Sequence, residues 1–113
     1  MELSITHNNG YVLAKTAGPL DENARTLFRE QLHPLVGKPG TRLLLDMSGS
    51  PRINSAGVGN LVALVADANT QGSRVTLCSL TPFVSGVMSV TKLNGFFDIA
   101  PDVEAAVTKQ GSN

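Results

Sequence analysis

Leu43-Leu44-Leu45, inside the segment 41–46, is a continuous apolar run rather than an alternating one. A strand with one wet face alternates apolar and polar residues. A strand buried on both faces has no position left for water, so this run predicts a central strand covered on either side. The rest of the chain supplies the covering. Leu3-Ser4-Ile5-Thr6 and Tyr11-Val12-Leu13-Ala14 read as two strands joined by a tight turn at Asn8-Asn9-Gly10, where residues tolerant of positive φ cluster. Asp21 is placed to cap a helix in which Ala24, Leu27, Phe28, Leu32 and Leu35 share one side; Pro34 lies near its end and Gly37 and Pro39 close the segment.

After the central strand, the loop 47–51 leads to a helix from Ser55 with Val58, Leu61, Val62 and Val65 at helical spacing. Arg74 to Cys78 is a further strand, with Cys78 expected to serve as a small buried hydrophobe. Thr81-Pro82 opens a third helix carrying Val84, Val87, Met88 and Thr91. Phe96 to Ile99 reads as a short last strand, and Asp102 begins a final helix, with a polar tail over 110–113 expected to fray. Strand, strand, helix, then strand and helix three times over predicts one α/β domain spanning 1–113. Its later connections, after the first tight turn, are too long for hairpins, so its sheet of about five strands is mixed and mostly parallel, with about four helices.

Composition removes several function classes. Nine basic and nine acidic side chains leave no net charge, and the chain has no Trp, one Tyr and four Phe. Neither a field for phosphate backbones nor a stacking platform for bases is expected, so direct nucleic acid binding is not. One cysteine and two histidines, His7 and His33, have no ligand-like spacing, so no metal or other cofactor is expected. No apolar run approaches the ~20 residues of a membrane span, and the first residues lack a secretory pattern, so a cytoplasmic protein without membrane insertion is expected.

The chemistry concentrates at Ile53-Asn54-Ser55-Ala56-Gly57-Val58-Gly59. Ser55 reads as the N-cap of its helix, its oxygen accepting from the N–H of Gly57 or Val58. The same position suits an added anion, because free N–H groups and the helix dipole favour negative charge there. Small residues at 56, 57 and 59 allow a second protein to come close. The phosphate-loop pattern and the GxSxG elbow are absent, Gly57-Val58-Gly59 lacks the third glycine of a dinucleotide loop, and no motif ties a histidine to Ser55. A nucleophilic enzyme is therefore not expected.

Several segments together resemble the STAS domain, in particular bacterial anti-sigma factor antagonists. Gly18-Pro19-Leu20-Asp21 resembles that family's G-x-L-D, Leu43 to Ser48 its V-L-D-L-S strand, and Ile53 to Gly59 its I-D-S-[SAT]-G-L-G signature. Leu80 to Val84 is similar to its L-S-P-x-V, and Thr91 to Phe97 to its T-G-L-x-x-x-F with the glycine shifted. The resemblance implies a binding switch without catalysis of its own. An anti-sigma factor that is also a serine kinase of the histidine-kinase-like ATPase type would bind the unmodified chain, phosphorylate Ser55 and let go; a serine phosphatase would reset it. Asp21, Ile53, Asn54, Ser55, Ala56, Gly57, Val58 and Met88 are the implied partner-binding positions, with Ile53 and Val58 expected as apolar contacts at an exposed rim. The family's Asp before the serine is Asn54 here, so Asn54→Asp is expected to raise the rate of phosphorylation. Two other readings stay open: a scaffold subunit of a transport or signalling complex in which Ser55 only caps, and a small-molecule site using the helix N-terminus for an anion.

Overall fold

The computed structural model describes residues 1–93 and 95–111, with side chains through Thr108. Asn94, in the Thr91–Phe97 segment, and Ser112 and Asn113, in the expected tail, lie outside the described residues. β1 (Glu2–Asn8) and β2 (Tyr11–Ala17) form an antiparallel hairpin closed by the pair Asn8 and Tyr11, with Gly10 at φ 90° in the turn. β2 then runs parallel to β3 (Arg42–Gly49), which is parallel to β4 (Arg74–Cys78), which is parallel to β5 (Asp98–Ala100). The strands stand in the sheet in chain order. α1 (Ala24–Gln31) and α2 (His33–Val36) form one helical arm broken at Leu32; α3 (Ser55–Gln71), α4 (Pro82–Val90) and α5 (Val103–Gly111) complete the domain.

The leucine run divides its side chains between two layers. Leu43 and Leu45, with Met47, Ala14, Val75 and Leu77, belong to the large cluster that also holds Phe28, Leu61, Leu64, Val84 and Met88 from α1, α3 and α4. Leu44 belongs to a smaller cluster with Cys78, Ala100 and Ala106, where α5 covers the other face. All three leucines are fully buried. An alternating strand would leave one of these layers without an anchor.

Several boundaries differ from expectation for identifiable reasons. The first helix begins at Ala24 rather than at Asp21, because the Asp21 carboxylate accepts the Asn23 N–H at 2.9 Å and folds the chain into a turn first. Pro34 divides the arm instead of ending it: it occupies the first turn of α2, where a missing N–H costs nothing. The last strand is Asp98–Ala100, not Phe96–Ile99. Phe96 and Phe97 sit in the preceding turn, packed edge to face with ring centroids 5.1 Å apart, and only Phe97 is buried. The final helix spans Val103–Gly111. Thr81 caps α4 as expected, accepting from the Val84 N–H at 3.4 Å with Pro82 in the first turn.

Cys78 is fully buried, and that burial, reinforced by the charges of Asp46, Asp102 and Asp98, pushes its thiol up to about 12. Thiolate is the reactive form. The native protein is expected to resist iodoacetamide at pH 8 and to take up one equivalent in denaturant; rapid alkylation of the folded chain would contradict this placement. Among the described residues no helix is long and apolar enough to cross a membrane, and no group of three potential metal ligands is gathered together.

Candidate functional site

Two loops are stitched together at the end of the sheet where β2 and β3 finish. Gly18 N–H donates to Gly49 O at 2.9 Å, Leu20 N–H to Arg52 O at 2.9 Å, and Asn54 N–H to Leu20 O at 3.2 Å; Leu20 and Ile53 form a parallel bridge. The side-chain amide of Asn60, one turn into α3, donates to Asp21 O at 3.0 Å. The segment carrying Asp21 and the segment carrying Ser55 are therefore held side by side.

Close approach explains the first glycine of the signature. A Cβ on Gly57 would lie 2.0 Å from Leu20 O and 2.9 Å from Ile53 Cγ1. Gly57 is small to admit the chain's own backbone, not a partner. Gly59 differs: a Cβ there meets nothing within 4 Å, and the residue is exposed.

The cap of α3 is Asn54, not Ser55. Asn54 has extended backbone angles (φ −116°, ψ −177°), and its Oδ1 accepts the Gly57 N–H at 2.9 Å; its own carbonyl accepts the first helical bond, from Val58 N–H at 2.9 Å. A cap residue must be extended, and the 3.2 Å bond from Asn54 N–H to Leu20 O holds it so. Ser55 thereby becomes the first helical residue, exposed, with its hydroxyl free of the capping duty assigned to it from sequence. Ala56 beside it is exposed as well.

Asn54 makes a second bond: its Nδ2 donates to Glu22 Oε2 at 3.0 Å. That bond, followed by one from the backbone of Glu22, holds the Glu22 carboxyl below its ordinary 4.5. A depressed carboxylate favours the folded state above its unfolded value, and this contribution is lost as pH falls through the folded one. Asn54→Ala removes both the cap and this bond. It is expected to cost about 1 kcal/mol of stability and to return the Glu22 titration, followed by NMR, to the ordinary glutamate range; an unmoved Glu22 titration would contradict the assignment.

The apolar residues expected at the rim are corrected. Ile53 is 6 % exposed, Val58 8 % and Met88 1 %, so none presents a broad contact surface. Ile53 and Val58 instead help form the floor of a shallow hollow of about 360 Å³, shared with Asn54, Ser55, Val87 and Thr91. Met88 is core, on the stripe with Val84. On the other side of Asn54 lies a second hollow of about 300 Å³, lined by Pro19, Leu20, Asp21, Arg52, Ile53, Asn54 and Phe83. Phe83 is 49 % exposed, and the Arg52 guanidinium lies 5.5 Å from its ring centroid.

Phe83, Val87 and Val90 were not anticipated as a surface. They recur at i, i+4 and i+7 along α4, a second stripe beside Val84 and Met88, and α4 carries no charged residue. The spacing was legible; Val87 is half-buried against the core, while Phe83 and Val90 on either side of it stay exposed, Val90 at 83 %. Neither histidine serves Ser55: His33 on α2 pairs with Asp67 at 2.7 Å, and His7 lies on β1 near its hairpin turn. The arrangement offers an alcohol at a helix N-terminus between two hollows, with two acidic residues on the adjoining loop.

This architecture is shared with known proteins. An anti-sigma factor antagonist assignment is attached to a Thermotoga maritima crystal structure that superposes with TM-score 0.86 at 19 % identity, covering 95 % of this chain and 92 % of that one. RsbS of Moorella thermoacetica, solved as a serine-to-glutamate variant, matches with TM-score 0.81 at 19 % identity over 98 % of this chain and 96 % of that one. The Bacillus cell fate determinant SpoIIAA, in its phosphorylated form, matches with TM-score 0.71 at 16 % identity over 96 % and 99 %. At these identities the likeness establishes the fold. The STAS domain family model matches residues 2–106, nearly the whole chain, and with the five-stranded mixed sheet and the stitched loops already described, it places this chain in the STAS domain family.

Proposed function

We propose that the chain is an anti-sigma factor antagonist working as a phosphorylation-controlled binding switch. Unmodified, it docks on an anti-sigma factor that is a serine kinase of the histidine-kinase-like ATPase type; phosphorylated on Ser55, it is released; a serine phosphatase restores it. The chain contributes a surface and a substrate hydroxyl, and no catalysis. Asp21, Asn54, Ser55 and Ala56 supply the accessible part of that surface, and Ile53, Val58 and Gly57 hold it in shape from below.

The observation that carries this reading is the exposed Ser55 in the first turn of α3, capped by its neighbour rather than by itself. A hydroxyl engaged in capping would have to leave its helix to be phosphorylated; this one is available with the helix intact. The N–H groups of the first turn and the helix dipole favour a phosphate there by about 0.3–2 kcal/mol, so the modified chain stays folded. The hollow lined by Ser55, the second hollow on the far side of Asn54 and the exposed Phe83 supply apolar area for docking.

The test uses serine kinases of this type from the proteome that encodes the chain, with magnesium and ATP. Ser55 is expected to take up one phosphate per chain and the Ser55→Ala variant none. Phosphate on another residue, or equal labelling of the variant, would sink the reading.

A further inference from the structure

We infer that Glu22, held in place by Asn54, is the acidic group this chain presents beside Ser55, and that it selects a partner bearing an arginine or lysine there. The inference rests on the switch reading and names a recognition determinant within it.

The geometry supports it in three steps. First, Asn54 uses both ends of its amide. Oδ1 is committed to the Gly57 N–H at 2.9 Å, and Nδ2 points at Glu22 Oε2 at 3.0 Å, across 32 positions of chain. An aspartate at position 54 keeps the first bond but cannot donate the second. Asparagine at 54 thus makes glutamate at 22 a partner, where a carboxylate at 54 would repel it. Charge is therefore displaced by one side chain, not removed, from the neighbourhood of the serine.

Second, the held carboxylate is charged and outward. Glu22 is exposed and titrates below the ordinary range because the Asn54 amide favours its ionised form. Being bonded through one oxygen, it keeps lone pairs for a second donor, and a guanidinium or ammonium is the donor that gains most from an exposed carboxylate. Third, its neighbour cannot take the role as readily. The Asp21 carboxylate is turned back onto the Asn23 N–H at 2.9 Å, and its carbonyl is bound by Asn60 at 3.0 Å. Asp21 orders the loop; Glu22 faces outward from it.

Two substitutions separate charge from shape. Glu22→Gln retains an oxygen for the Asn54 amide, so the hydrogen bond survives and only the charge is removed. Glu22→Gln combined with Asn54→Asp reverses the polarity: the new amide at 22 can donate to the new carboxylate at 54, which still caps Gly57. Binding of each unphosphorylated variant to the kinase is measured by titration calorimetry at low and high salt, alongside initial phosphorylation rates and melting temperatures. Glu22→Gln is expected to weaken binding about tenfold at low salt, to flatten its salt dependence, and to leave melting nearly unchanged. The double variant is expected to recover affinity to within about threefold of the parent.

A purely structural role for Glu22 would not produce recovery by moving the charge. Wild-type affinity in Glu22→Gln, or no recovery in the double variant, overturns the inference while leaving the switch standing if Ser55→Asp still weakens docking about a hundredfold. Docking that ignores Ser55→Asp overturns the switch reading and this inference with it.

Discussion

Gly57→Ala is expected to destabilise the folded domain by about 2–3 kcal/mol, the usual cost of forcing extra volume into a packed site, although alanine is the better helix former. The added methyl would sit 2.0 Å from Leu20 O and 2.7 Å from Leu20 C. These are backbone atoms in a segment fixed on both sides, by Leu20 N–H to Arg52 O and by Asn54 N–H to Leu20 O. A side-chain tip could swing away; this backbone cannot move without breaking the stitch between the two loops. Gly59→Ala is the internal control. Its methyl meets nothing within 4 Å, so only helix propensity acts, and a gain of up to about 1 kcal/mol is expected. Two glycines two residues apart on one helix thus respond with opposite signs. Thermal unfolding should place the first variant roughly 10 °C below the parent and the second at or above it. Equal shifts of the same sign would mean that Leu20 does not press on α3 as described.

The contrast shows what a single sequence can and cannot disclose here. Leu43-Leu44-Leu45 announced a doubly covered strand because three consecutive apolar residues leave no wet face, and the structure splits them between two clusters accordingly. Parallel pairing beyond the hairpin followed from the alternation of strands with helices. The capping of α3 was misread by one residue because Asn54 and Ser55 are both good caps in adjacent positions. The tie is broken by a long-range bond, from Asn54 N–H to Leu20 O, which local pattern does not contain. Burial of Ile53 and Val58 failed in the same way: Ile53 is bridged to Leu20, more than 30 positions earlier, and Val58 shares a hollow with Val87 and Thr91 of the later helical segment. The link from Glu22 to Asn54 spans 32 residues, beyond the reach of any local pattern. Phe83, Val87 and Val90 were the legible signal left unread.

The one-residue shift in the cap also sets the second large effect, at Ser55. Because Asn54 holds the Gly57 N–H, replacing or modifying Ser55 leaves the capping bond in place, so Ser55→Ala should change melting by less than Asn54→Ala does. Phosphate adds about −1.5 to −2 charges and three acceptor oxygens one residue from Asn54, whose amide holds the Glu22 carboxylate. Free in water, that charge is screened and receives some support from the N–H groups of the first turn. Docked against a partner, it loses water and meets a surface matched to a neutral hydroxyl. Converting a complex from 99:1 bound to 1:99 requires about 5.5 kcal/mol of differential binding, a ten-thousandfold change in affinity. Phosphorylated chain is therefore expected to bind the kinase roughly ten-thousandfold more weakly than unmodified chain, and Ser55→Asp, with one charge and less bulk, about a hundredfold. Ser55→Ala should bind like the parent. The decisive comparison is calorimetric affinity beside melting temperature for the same samples: loss of docking with an unchanged fold is the signature of a surface switch. If the phosphorylated chain melts many degrees lower, or docks as tightly as before, charge at the head of α3 is not what controls the complex.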